Sequence, residues 1–254
     1  MTRNKSLIIA LTDFKQAMKV RYVKYSFFGT ALLGPILVVM MVGGPLALIP
    51  STSSDYPIMV SMMIPLGSAI LALMAVIPAG LISANALVGE KEQRTLEPLL
   101  VTPLTDRQLL WGKVLGSLIP CVILLYGGTA VTAIAINVLL LVMGNPLVLF
   151  PDPPGMFLIF VVGPIVALAI ISTMILISGK VSRVYEAYQT GSVAVLVLMI
   201  PLYLPMMQFS GSVGSLDLIW LSDLITFAVA LVLASLTWAL ATKRFNRDQM
   251  VTQV

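Results

Sequence analysis

The chain has 254 residues, of which 59% are hydrophobic and 10% charged, and a mean hydropathy of +1.02, whereas soluble domains carry about 25% charged residues. With no histidine and a single cysteine, it has no imidazole nucleophile pair, no H-E-x-x-H metal site, no internal disulfide and no thiolate cluster. The net charge of +4 does not indicate nucleic acid, because the basic residues are scattered beside apolar runs instead of gathered on one surface.

In chain order, residues 3–25 come first. Leu7, Leu11, Phe14, Met18, Tyr22 and Tyr25 recur at helical spacing while Lys5, Lys15, Lys19 and Lys24 point elsewhere, the pattern of an amphipathic helix lying in the membrane interface. The apolar run that follows, 26–50, starts too late and runs too long for a signal peptide and lacks a small-x-small cleavage site, so it reads as a retained span. Five further runs, 57–82, 108–143, 157–178, 187–209 and 217–242, are each long enough to cross a hydrocarbon core of roughly 30 Å. The third is longer than a simple span. Thr105 and Gln108 have capping-box spacing at its start, Gly112 and Gly116 offer a small-x-x-x-small face, and Pro120 is where it is expected to bend, unless it tilts or projects. The intervening segments are loops by composition, Gly144-Asn145-Pro146 to Gly155 being rich in turn residues.

The fifteen Lys and Arg fall on alternate sides of these six runs. Arg3, Lys5, Lys15, Lys19, Arg21 and Lys24 precede the first. Lys91, Arg94, Arg107 and Lys113 lie between the second and third, Lys180 and Arg183 between the fourth and fifth, and Lys243, Arg244 and Arg247 after the sixth. The other loops and their margins carry only Asp55, Asp152, Asp217 and Asp223. The positive-inside rule then predicts an all-α, six-span membrane protein with both termini cytoplasmic, in the cell membrane. No charged residue sits near the centre of a span, which argues against ion-coupled secondary transport. Asn85, Thr129, Thr132 and Asn137 are candidate pathway residues; the uncharged groups on the third run either line a route or bond a neighbouring helix. Between 201 and 223, Pro201, Pro205, Gln208, Ser210, Gly211, Ser212, Gly214 and Ser215 interrupt an apolar region near the outer face, either as a simple loop or as irregular backbone covered by protein.

The segment from Gly89 to Leu104 concentrates the chemistry. Glu90, Glu92 and Glu97 stand within eight residues, and Leu96, Leu99 and Leu100 form an i, i+3, i+4 patch beside them. Apolar anchors with a charged rim suit a docking knob, since the anchors supply affinity and the charges fix register; a solvated topogenic loop fits the same composition. The segment resembles the loop between the second and third spans of type-2 ABC (ATP-binding cassette) exporter permeases, whose pattern runs E-x-E-x-G-T-L-E-x-L-L-x-x-P followed by G-K. Glu90, Glu92, Thr95, Leu96, Glu97, Leu99, Leu100, Pro103 and Gly112-Lys113 match it. Arg94 stands where the family usually has glycine, which favours continuous helix there.

The resemblance implies that 89–107 is a coupling loop whose helix sits in a groove of a cytoplasmic ATPase subunit, with Glu90, Glu92, Arg94, Thr95, Leu96, Glu97, Leu99 and Leu100 transmitting ATP-driven closure. It also implies that residues 1–25 brace a transmembrane domain at 26–242, that 243–254 form a cytoplasmic tail, that two permeases pair as a homodimer or heterodimer, and that a re-entrant element lies near 201–223. The chain has no G-x-x-x-x-G-K-[ST] phosphate loop, so no cofactor is expected on it, and ATP and magnesium belong to the partner. The expected cargo is amphipathic or hydrophobic: a drug, lipid or peptide, with sodium also open. A non-transporting scaffold or assembly factor shares the topology without needing the loop motif. A lipid-modifying enzyme needs clustered acids or histidine that are lacking.

Overall fold

The computed structural model describes residues 5–89, 105–178, 181, 183–207 and 216–244, and all regular structure among them is helical. Helix α1 is Lys5–Ala17. After a turn, α2 (Arg21–Val38) passes through a π-helical segment, Val39–Gly43, into α3 (Gly44–Leu48). Helix α4 (Tyr56–Ala84) continues into a second π segment, Asn85–Gly89. Helix α5 (Asp106–Val142) is unbroken through Pro120. Helix α6 (Pro153–Phe157) leads through a third π segment, Leu158–Val162, into α7 (Gly163–Ser178). Helices α8 (Val184–Met207) and α9 (Leu216–Arg244) are the last described elements.

Five of these stretches, Arg21–Leu48, Tyr56–Ala84, Gln108–Val142, Pro153–Ser178 and Leu218–Lys243, are long and apolar enough to cross a membrane. They coincide with five of the runs read from sequence, and α8 covers the remaining one. Large apolar side chains along α5 and α9, among them Ile123, Ile134, Val138, Leu224 and Leu236, are exposed, which suits a lipid solvent and not water. The Pro153–Ser178 stretch is the most enclosed and the α9 stretch the least. Val166, Ile170, Ile171 and Met174 of α7 are all buried.

Two of the π segments have a common cause in sequence, since each is followed at once by Gly-Pro: Gly44-Pro45 and Gly163-Pro164. Proline has no N–H for the carbonyl four residues back and its ring crowds that carbonyl, so a wider turn relieves the strain. For Pro164 the carbonyl left without its α-helical donor belongs to Phe160, and the Tyr126 hydroxyl donates to it at 3.2 Å. The two rings also meet, with centroids 5.0 Å apart.

Contacts between helix ends set the antiparallel order. At one end Tyr22 of α2 meets Asn85 beyond α4, Trp111 of α5 meets Trp238 of α9, and Tyr188 of α8 lies close to Gly80 of α4. At the other, Asn145 after α5 meets the end of α3, and Phe157 meets Trp220 and Phe227 of α9. The first is the basic end, flanked by Lys15, Lys19, Arg21, Lys24, Lys113, Arg183 and Lys243. The second carries Asp55, Asp152 and Asp223.

One expectation is altered. The apolar stripe from Leu7 to Tyr25 does not run along one helix: the chain turns at 18–20, with Val20 extended at φ −76°, ψ 119°. Tyr22 and Tyr25 therefore lie on α2, in the turns that lead into the first apolar run. The turn re-aims the chain from α1, which packs on the flank of α5, into α2, which runs along the bundle.

Candidate coupling junction

The start of α5 is built for close packing. Thr105 and Gln108 form the expected capping box: the Gln108 N–H donates to Thr105 Oγ1 at 3.3 Å and the Thr105 N–H donates to Gln108 Oε1 at 3.2 Å. One turn on, Gly112 and Gly116 lie against α1. A Cβ on Gly112 would stand 2.7 Å from Ile9 Cβ, and one on Gly116 would stand 3.0 Å from the Ala10 carbonyl oxygen. Only glycine admits that approach. The small-x-x-x-small face thus takes the N-terminal helix as its partner.

Lys113, between those glycines, is 1% exposed. Its ammonium lies 3.5 Å from Asp13 Oδ2 and donates to the Ala86 carbonyl. Asp13 is 6% exposed, on the face of α1 that also buries Ala10 and Ala17. Burial raises the Asp13 carboxyl above its ordinary range, an effect that Lys113 opposes through its charge and a hydrogen bond. Ala86 lies in the π segment that follows α4. One side chain therefore ties together α1, the end of α4 and the start of α5. In the same region Tyr22 donates to Asn85 Oδ1 at 2.8 Å, and Asn85 Nδ2 donates to the Leu81 carbonyl at 2.8 Å. A polar cavity of about 360 Å³ opens here, lined by Asp13, Gln16, Lys19, Asn85 and Gly89 among others.

Glu90, Glu92, Arg94, Thr95, Leu96, Glu97, Leu99 and Leu100 lie outside the described residues. The structure does describe the two stems that flank them, Asn85–Gly89 and the capped start of α5, and Lys113 joins these stems. Of the pathway candidates, Asn85 is at the junction and the other three lie further along α5. Thr129 and Thr132 are buried and donate to their own helix, to Leu125 at 2.8 Å and Gly128 at 2.7 Å. Asn137 donates to Ala133 and accepts the Val148 N–H at 3.0 Å, which ties down the loop after α5. The cavity at Asn85 includes none of these three. Helix α8 continues through Pro201 and Pro205 to Met207, and Gln208, Ser210, Gly211, Ser212, Gly214 and Ser215 lie outside the described residues.

The Asp13–Lys113 pair was not anticipated, because Lys113 counts as a topogenic charge and Asp13 is one acid among many basics. Its signal is the line Ala10-Asp13-Ala17, small residues around an acid at i, i+3, i+7, matched by Gly112-Lys113-Gly116.

These features define a multi-pass helical membrane protein whose α1, α4 and α5 are joined at the basic end. The profile of the family described as ABC-2 family transporter protein matches residues 7–218, and the chain belongs to that family, the membrane permeases of type-2 ABC transporters. Such permeases are transmembrane subunits that work with separate ATPase subunits. No curated protein matches the chain at a significant level.

Proposed function

We propose that the chain is the six-span permease of an ATP-driven exporter, with both termini in the cytoplasm of a cell whose plasma membrane it crosses. The basic end faces the cytoplasm, by the alternation of Lys and Arg across the spans. Residues 1–25 brace the transmembrane domain at 26–242, α8 serves as the fifth span, and 243–254 are the tail. Glu90, Glu92, Arg94, Thr95, Leu96, Glu97, Leu99 and Leu100 dock on a cytoplasmic ATPase that binds ATP and magnesium. A second permease, identical or similar, completes the pathway. The cargo is amphipathic or hydrophobic; sodium has no intramembrane carboxylate near a span centre to support it.

The observation that carries this reading is the Lys113 bridge. It joins both stems of the loop that the ATPase would grip, so a push on that loop reaches α4, α5 and α1 together. Asn85 sits at that bridge, where a pathway residue would feel the push first. Thr129, Thr132 and Asn137 lie along α5, where rotation of the helix would expose them to a path between copies.

The test is reconstitution of the chain with its ATPase, comparing wild type with Glu97→Lys and Leu99→Asp. Both variants should insert normally while ATPase binding or cargo-stimulated turnover falls by an order of magnitude or more, the loss of one docking anchor at about 2 kcal/mol. Unchanged coupling in both variants removes the loop from the mechanism.

A further inference from the structure

A groove of about 360 Å³ lies between α1, α2 and α5, on the flank of α1 that carries Leu7 and Leu11, within the roughly 300–1,000 Å³ typical of small-molecule sites. Phe14, Phe27, Ile119 and Ile123 complete its walls, and its lining is wholly apolar. The frame is rigid. Gly116, which also lines the groove, holds α5 against the α1 backbone, and the Phe14 and Phe27 rings meet edge to face at 6.0 Å. Leu7, Leu11 and Ile123 are about half exposed or more, so the groove is open to its surroundings. Water gains nothing there, and in a bilayer hydrocarbon fills it.

Phe14 and Phe27 also delimit a run of charge of one sign. Lys15, Lys19, Arg21 and Lys24 lie between them and all four are exposed. No acid occurs from Phe14 to Ser54, and Asp13, which shares the polar cavity with Lys19, is paired with Lys113. A wholly apolar slot with an exposed basic run between two of its walls has the two parts that an acidic amphiphile needs, a chain site and a headgroup site.

We propose that this groove is a resident site for an anionic phospholipid, one acyl chain lying along Leu11, Ile119 and Ile123 and the phosphate held by the basic turn from Lys15 to Lys24. The lipid comes from the leaflet at the basic end, a placement that rests on the orientation proposed above. A lipid there packs α1 against α2 and α5, beside the Asp13–Lys113 bridge.

The test uses the full chain in nanodiscs of equal parts phosphatidylglycerol and phosphatidylcholine, transferred to mild detergent, with retained lipids counted by native mass spectrometry. Wild type should keep phosphatidylglycerol in preference to phosphatidylcholine. Lys15→Gln with Lys24→Gln, both at exposed positions, should lower that preference by roughly tenfold or more, at about fivefold per charge near a membrane surface. Ile119→Trp, which fills the groove, should remove both lipids. Equal retention of the two lipids by wild type, an unchanged preference in the charge variant, or full retention in Ile119→Trp overturns the site. Displacement of the lipid by a transported amphiphile also overturns it, because the groove then belongs to the cargo. ATPase co-purification scored on the same wild-type sample separates the readings: its failure sinks the coupling proposal and leaves the lipid preference to be judged by its own numbers.

Discussion

The two ends of α5 are anchored by opposite chemistry. At its start the helix is held by a buried ion pair and by glycines that bring it against α1. At its far end it stops at Gly144, whose φ of +78° lets the Asn145 N–H reach the Leu140 carbonyl at 2.9 Å. Asn145 Nδ2 then contacts the carbonyls of Leu46, Ala47 and Ile49 at 3.1–3.2 Å, where the first span ends. Neutral amides hold one end and charges hold the other. Amide groups do not titrate in this range, whereas a buried ion pair depends on the alignment and the protonation state of its partners. The far end is a fixed anchor, and the basic end is the one whose joint can be worked.

That contrast can be broken most severely at Lys113. Lys113→Met leaves Asp13 buried without its counter-charge, a loss of about 3–5 kcal/mol, read as a large fall in thermal midpoint in detergent. Adding Asp13→Asn should recover much of it, because the orphaned charge is gone. Failure of the double variant to recover would show that Lys113 acts only through Ala86. Gly112→Val comes next: its Cβ alone meets Ile9 at 2.7 Å, so α1 must move away, at about 1–3 kcal/mol. Cysteines placed on α1 and α5 should then cross-link more slowly than in wild type. At the neutral anchor, Asn145→Leu removes the donor to three carbonyls and should cost about 1–3 kcal/mol, with no change in the stability difference between pH 7 and pH 5.

The smallest expected effect is that pH dependence itself. Burial raises the folded pKa of Asp13 above its unfolded value, so between the two the native state holds the extra proton and stability falls as pH rises. Wild type should therefore gain on Asp13→Asn as the solution is acidified from neutral towards the ordinary carboxylate range. Thermal midpoints of the two proteins measured across that range check the sign, and a loss of wild type relative to Asp13→Asn on acidification contradicts it.

Sequence was most informative where lipid sets the rules. Apolar runs long enough to cross a bilayer gave five membrane-length helices within a few residues, because a lipid-exposed backbone has few alternatives to helix. The capping box at Thr105 and the glycine face at Gly112 and Gly116 were legible because each is a local rule with fixed spacing. What was not legible is long-range. The matched small residues around Asp13 and Lys113 become a signal only once α1 is known to pack on α5, a hundred residues on, and the sequence does not show that Thr129 and Thr132 bond to their own helix or that Asn137 holds a nearby loop. The turn at 18–20 was missed because no glycine or proline marks it.

The π segments at 39–43 and 158–162 have a geometric consequence. Each fits one more residue into a turn than an α-helix does, so everything beyond it is rotated by about 100° relative to a regular helix. In the first and fourth membrane stretches the short end, Gly44–Leu48 or Pro153–Phe157, thus presents a face set independently of the longer helix, and a single helical wheel drawn through either π segment assigns that end to the wrong neighbour.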